Sequence, residues 1–202
     1  MDVVLVDYGA GNVTSVVKGL HAAGAGVRIV SDASALGTPD ALVIPGVGHF
    51  SVAQKLEGAW RRAVQDAIAR GVPMLGICVG LQWLFEGSEE APDTPGLGLL
   101  PGRCFRLTGD VKVPHVGWNT LDRGDRPARI LQGVAPGASA YFTHSYAAPC
   151  GPDTAATTVH GVPFAAAVER GRTFGVQFHP EKSGPTGLAI LRNFVDVVRE
   201  GR

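Results

Sequence analysis

VPMLGICVGLQ, Val72 to Gln82, reads as a short buried strand that ends in a cysteine and turns at once, between Gly76 and Gly80, towards a helix expected over Leu81 to Glu86. Strand, turn and helix in that order are half of a βαβ unit, and the order recurs upstream. VVLVD (Val3 to Asp7), VRIVS (Val27 to Ser31) and ALVIPG (Ala41 to Gly46) are further β-rich apolar runs. Between them, NVTSVVKGLHAAG (Asn12 to Gly24) carries Val16, Val17 and Leu20 on one side and closes on Gly24. AWRRAVQDAIARG (Ala59 to Gly71) spaces Trp60, Val64 and Ile68 at i, i+4 and i+8. This alternation predicts an α/β fold: a mostly parallel central sheet with helices on both faces, and functional loops at the carboxyl ends of the strands. Tyr8 to Gly11, Gly46 to Gly48 and Cys78 all fall at such ends.

After Gly87 the pattern changes. SEEAPDTPGLGLLPG (Ser88 to Gly102) is rich in Pro and Gly and reads as a surface loop. β-segments are expected at Cys104 to Leu107, Ala140 to Ser145, Ala155 to His160, Phe164 to Glu169 and Thr173 to Phe178, as a mostly antiparallel extension of the same sheet. Thr186 to Glu200 is expected to be an amphipathic helix with Leu188, Leu191, Val195 and Val198 on its apolar side. With 202 residues, against about 100–200 per domain, residues 1–202 are expected to form a single domain.

Charge and composition narrow the function. Lys plus Arg and Asp plus Glu balance at 18 each, so nothing suggests the basic surface that nucleic acid or anionic lipid would require. Apolar runs such as VVLV (Val3 to Val6) are too short to span a bilayer, and no basic start with a long apolar core opens the chain, so a cytoplasmic protein is expected. Cys78, Cys104 and Cys150 match neither a CxxC metal site nor a disulfide framework, which predicts free thiols. His21, His49, His115, His144, His160 and His179 lack HExxH or HxH spacing, so no metal is expected. GAGNVT (Gly9 to Thr14) lacks the third glycine of GxGxxG, which disfavours a nucleotide cofactor; no cofactor is expected at all.

The position of Cys78 suggests chemistry. Glycines on both sides let strand and helix pack closely and let a substrate reach the sulfur. Free N–H groups at a helix start favour a thiolate, and the N–H of Val79 is placed to donate to an oxyanion. Taken alone, GICVGLQ (Gly76 to Gln82) fits a buried structural cysteine equally well. A nucleophilic thiol needs a base, and the base an orienting group. In VQFHPEKSG (Val176 to Gly184), His179 and Glu181 lie two apart across Pro180 and would point to one side of an extended chain. A lone histidine after an apolar run is more often structural; with the glutamate and an elbow cysteine, catalysis becomes the better reading. In IPGVGHF (Ile44 to Phe50), Gly46 and Gly48 allow unusual φ and a close backbone approach, as a second oxyanion donor from Gly46 to Val47 requires. On its own a PGxG turn means little.

GICVGLQ, HPEKS and PGVG together resemble the class I (triad) glutamine amidotransferases, over nearly the whole chain. Within that class DYGAGN (Asp7 to Asn12), HVGWN (His115 to Asn119) and YFTHSY (Tyr141 to Tyr146) are similar to the glutaminase subunits of imidazole glycerol phosphate synthases. The resemblance implies a flavodoxin-like fold and a Cys78–His179–Glu181 triad that hydrolyses glutamine through a thioester. It implies an oxyanion hole from Val79, Gly46 and Val47, and glutamine contacts from Gly48, Gln82, Thr143, His144 and Ser145. It also implies a heterodimer with a (β/α)8 cyclase subunit, which would receive the ammonia and make imidazole glycerol phosphate and aminoimidazole carboxamide ribotide. Asn12, Trp118, Asn119, Tyr141 and Lys182, expected in loops beside the active edge, would face that partner; Trp and Tyr suit interface centres, although Trp118 would serve equally as core and Lys182 as a solvated charge. Cys104 and Cys150 have no base assigned and are not expected to be catalytic. Two alternatives share this fold: the glutaminase subunit of a pyridoxal phosphate synthase type, against which YFTHSY and HVGWN argue, and a sensor-thiol module without catalysis, which gives no reason for His179 and Glu181.

Overall fold

The computed structural model describes residues 1–124 and 126–201 of the chain. β1 (Asp2–Val6) leads into α1 (Val13–Ala22), whose first free N–H groups are capped by Asn12, its side chain accepting from Ser15 N at 3.2 Å. β2 (Gly26–Val30), β3 (Ala41–Ile44), α2 (Ala59–Ala69) and β4 (Met74–Ile77) follow, and Val3–Val6, Ala41–Ile44 and Met74–Ile77 are buried throughout, as strands covered on both faces must be. The next helix is α3 (Val79–Trp83) rather than Leu81 to Glu86. It starts two residues early because Cys78 itself makes the turn, at φ 54° and ψ −109°.

The stretch from Ser88 to Gly102 is not a plain surface loop. It completes β5 (Gly87–Ser88) and contains β6 (Ala91–Pro95), and Ser88, Thr94, Leu97 and Leu100 are buried. Pro92 and Pro95 are tolerated because β6 is an edge strand. Arg61 of α2 fastens the segment by donating to the carbonyls of Gly96 (2.6 Å) and Leu97 (3.3 Å).

The second half supplies β7 (Arg103–Arg106), β8 (His115–Thr120), β9 (Asp122–Arg123), β10 (Ser139–His144), β11 (Tyr146–Ala147), β12 (Thr154–His160), β13 (Val162–Arg170) and β14 (Thr173–Val176), then α4 (Gly184–Glu200). The main sheet runs β2-β1-β3-β4-β14-β13-β12-β9. Its first five strands are parallel, including β14, which pairs with β4; β13 and β12 continue it antiparallel, as expected, and β9, not expected from the sequence, closes it. β8 and β10 do not join it. They form a separate antiparallel ribbon, and β11-β7-β5-β6 form a third, smaller sheet. The ribbon leaves the main sheet because it is fastened across the end of β14, where His179 N donates to Tyr141 O at 2.9 Å.

From β1 the chain moves one way along the sheet to β2, and from β3 the other way to β4. Crossovers of one hand running in opposite directions place α1 and α2 on opposite faces, with α4 beside α1. The reversal between β1 and β3 leaves a crevice outside the carboxyl ends of the strands. No helix among the described residues is long and apolar enough to cross a membrane.

Candidate active site

Cys78 is the only non-glycine residue with positive φ among those described. Such a conformation costs on the order of 1–3 kcal/mol and persists only where its surroundings over-determine it. Here they do. A Cβ on Gly80 would lie 1.9 Å from the Ile44 carbonyl oxygen, and one on Gly76 would lie 2.5 Å from the Gly80 oxygen. Cys78 N donates to Val176 O at 2.8 Å, and its carbonyl accepts from Gln82 N at 3.0 Å. The thiol therefore stands on a strained elbow between β4 and α3.

Beyond the end of β14, His179 Nδ1 and Glu181 Oε1 are 2.9 Å apart, with both side chains 1% exposed. They meet through the tight turn Pro180–Lys182 rather than along an extended strand, because Pro180 opens a 3-10 turn. Ser183 Oγ donates to His179 O at 2.7 Å and accepts from Tyr141 N at 2.9 Å, which locks that turn to the ribbon. Burial works to lower the His179 pKa, but its interactions with the Cys78 sulfur and the Glu181 carboxylate outweigh it and raise the value to about 9. Nε2 of His179 has no completed hydrogen bond, which leaves it available on the Cys78 side.

A cavity of about 280 Å³ opens over the sulfur. Its walls include Val47, Gly48, Cys78, Val79, Gln82, Thr143, His144 and Ser145, all expected from the sequence, and also Glu90, Pro114 and Tyr146, which were not. Gly48 has φ 93°, whereas Gly46 is glycine for lack of room: a Cβ there would be 2.7 Å from both Tyr8 Oη and Val79 Cβ. Tyr8 Oη donates to Pro45 O at 2.7 Å, and burial together with the neighbouring Cys78 drives its pKa well above the usual value.

Gln82 was expected to grip a substrate, but its amide nitrogen is spent on the wall. It donates to Tyr146 O at 2.7 Å and to Gln177 Oε1 at 3.1 Å. Gln177, fully buried, points its own amide nitrogen at the Cys78 sulfur, 3.6 Å away. Sequence reasoning missed it, although a single amide inside the apolar run TFGVQF is a visible anomaly. His144 is likewise occupied, through Nδ1 by Tyr146 O at 2.9 Å and through Nε2 by His115 Nδ1 at 3.1 Å. Glu90, hidden in the Pro- and Gly-rich stretch, accepts from Phe50 N at 2.7 Å and is the acidic side chain in the cavity wall. Among the described residues, no group of three or more His, Cys, Asp or Glu is arranged to hold a metal ion.

A thiol on an elbow, a buried imidazole–carboxylate pair beside it and a small cavity above form a site for nucleophilic attack on a carbonyl. Residues 4–198 match the glutamine amidotransferase class-I family. The chain belongs to that family. This amidotransferase is 52% identical over 200 residues to the imidazole glycerol phosphate synthase subunit HisH of Deinococcus radiodurans, a match covering 96% of this chain and 92% of that protein. It is 51% identical over 204 residues to the subunit of the same name from Halobacterium salinarum, again covering 96% and 92%. The solved structure of PurLQS from Thermotoga maritima shares the fold, with TM-score 0.76 at 19% identity and 98% of each chain covered.

On the outer side of the amidotransferase, Trp118 and Tyr141 sit opposite each other on β8 and β10, not in loops. Their rings are T-shaped, 6.1 Å apart, and Lys182 Nζ lies 5.9 Å from the Tyr141 ring. Trp118 is 58% exposed, which excludes the core role. Asn12 is the exposed cap of α1, whose Gly19 lies against Glu181. Asn119 is turned partly inward, donating to Val159 O at 3.0 Å.

Proposed function

We propose that this chain is the glutaminase subunit of an imidazole glycerol phosphate synthase and that Cys78, His179 and Glu181 are its catalytic residues. The observation that carries the reading is the juxtaposition of the strained Cys78 with a buried His179–Glu181 pair at the floor of a small cavity. A proton held on His179 beside Cys78 is the arrangement of an imidazolium paired with a nucleophilic thiolate. The sulfur attacks the carboxamide carbon of glutamine, a C–S bond forms, and the carbonyl electrons move onto oxygen. Val79 N–H and the Gly46 to Val47 backbone hold that oxyanion. His179 passes its proton to the leaving nitrogen, the C–N bond breaks, and ammonia departs. Water, deprotonated by His179, then attacks the thioester carbon, the C–S bond breaks, and glutamate leaves with the thiolate and the protonated His179 restored. Glu181 holds the Nδ1–H of His179 throughout, so that protons come and go at Nε2. The Glu90 carboxylate suits the substrate's α-ammonium, and Gly48, Thr143 and Ser145 contribute to the wall beside Gln82 and His144, whose side-chain nitrogens are already partnered.

The ammonia passes to a cyclase subunit of (β/α)8 form in a heterodimer, which makes imidazole glycerol phosphate and aminoimidazole carboxamide ribotide. The names of the relatives and the group in which exposed Trp118 and Lys182 flank the half-buried Tyr141 ring support that partner. The test is glutamate release from glutamine by the purified chain, alone and mixed with an imidazole glycerol phosphate cyclase holding a ligand of its own site. Strong activation in the mixture is expected. High activity alone with no response to the cyclase would keep the thiol chemistry and remove the acceptor assignment.

A further inference from the structure

The polar groups behind the cavity can share their protons in one way only. A backbone carbonyl accepts and never donates. The Tyr146 carbonyl receives both His144 Nδ1 (2.9 Å) and Gln82 Nε2 (2.7 Å), so His144 carries its proton on Nδ1 and Gln82 turns its nitrogen to this oxygen. The second N–H of Gln82 then faces Gln177 at 3.1 Å, which must answer with Oε1. Its amide nitrogen is thereby aimed at the Cys78 sulfur at 3.6 Å.

The same logic runs outward. Neutral His144 has an acceptor at Nε2, so His115 Nδ1, 3.1 Å away, must donate. His115 Nε2 is then the acceptor for the Asn119 amide nitrogen at 3.2 Å. That nitrogen is fixed independently, since it also donates to Val159 O at 3.0 Å while Thr120 N donates to Asn119 Oδ1 at 2.8 Å. Burial keeps both imidazoles neutral, holding His115 down to about 4 and His144 to about 3.

We propose that these groups are one continuous hydrogen-bond chain between Asn119 on β8 and the Cys78 sulfur, in which His144 and Gln82 both donate to the Tyr146 carbonyl from its two sides and Gln177 is a positioning residue for the nucleophile. The assignment rests on Cys78 being the nucleophile. Gln177 does not line the cavity, so it acts on the sulfur and not on a bound substrate. A fully satisfied hydrogen-bond chain is stiff, and this one begins beside Trp118, on the β8–β10 ribbon that carries the Trp118–Tyr141 pair. Displacement of that ribbon would therefore be felt at the thiol.

The test uses the whole chain. Long-range proton–nitrogen NMR of the imidazoles is expected to show the Nδ1–H tautomer at both His115 and His144; Nε2–H at either would overturn the chain. Gln177→Leu is expected to slow iodoacetamide alkylation of Cys78 about five- to tenfold and to lower glutaminase kcat in the cyclase mixture by a similar factor, with the glutamine KM within about twofold. Unchanged alkylation overturns the role of Gln177. His115→Phe keeps the ring stacking on Phe142 and His160 (4.9 and 4.1 Å) but removes both nitrogens, and should shift the side-chain amide resonances of Gln82 and Gln177; unmoved resonances would refute the coupling. Should Gln177→Leu not fold, the native tautomers still decide. The expected tautomers and alkylation rates, together with an absence of glutamine hydrolysis even with the cyclase, would leave the chain standing and remove the glutaminase reading instead.

Discussion

His179 and Glu181 are held side by side, Nδ1 to Oε1 at 2.9 Å, on either side of the single proline that turns the backbone between them. This pairing contributes to raising the His179 pKa from 6.5 to about 9, against the burial that lowers it. A folded-state pKa above the unfolded one adds stability that is fully present below about 6.5 and is lost as pH rises through about 9. Urea midpoints of the native chain should therefore fall between about pH 7 and 10. Glu181→Gln should flatten that fall, since one of the interactions that raises the pKa is gone. Parallel pH profiles for the two proteins would contradict the assignment.

The φ of 54° at Cys78 makes a separate prediction, about strain. Cys78→Ala and Cys78→Gly both abolish the thiol, but only glycine adopts this conformation without penalty. Cys78→Gly is expected to be more stable than Cys78→Ala by about 1 kcal/mol in denaturant titrations, the reverse of their order at an ordinary helix position. Equal stability of the two variants would mean that the elbow is not strained in solution.

Much of this site was legible because its residues are unusual where they stand. A cysteine between glycines after an apolar run, and a His-Pro-Glu triplet after another, break local patterns, and both are in the site. Three things were hidden. The ribbon strand β8 escaped because HVGWNT mixes a glycine, an indole and an amide, and its pairing partner, β10, lies far along the chain. The stretch from Ser88 to Gly102 looked like a loop because prolines on an edge strand are indistinguishable, by sequence, from prolines in a turn. Gln177 went unassigned because its value depends on Gln82 and Cys78, which approach it only in the folded chain.

Gly80 is the contact that lets the elbow close, since its missing Cβ would stand 1.9 Å from the Ile44 carbonyl oxygen. Backbone cannot move aside as a flexible side chain can. Gly80→Ala is expected to cost about 3 kcal/mol or more and to abolish Cys78 alkylation at the native rate. Gly151→Ala is the control: no atom lies within 4 Å of the added carbon, and a change within about 0.5 kcal/mol is expected. A comparable loss at both positions in thermal or urea unfolding would refute the close-approach argument.

Trp118 and Lys182 converge on the ring of Tyr141 from two different elements, the ribbon and the turn that holds the His179–Glu181 pair. An indole 58% exposed contributes little to the core, so its removal should barely change folding. Interface aromatic residues that become buried on association cost about 1–2 kcal/mol or more when truncated, whereas an isolated charge at a rim costs less. Trp118→Ala should therefore raise the Kd for an imidazole glycerol phosphate cyclase about tenfold, and Lys182→Ala by a smaller factor that shrinks in high salt. In both, the thermal midpoint of the free chain should stay within about 2 °C of native, because neither side chain anchors the core. Titration calorimetry against the cyclase, paired with thermal unfolding, separates the outcomes. Unchanged Kd and unchanged glutamine-dependent turnover in both variants would place the cyclase on another face of the molecule.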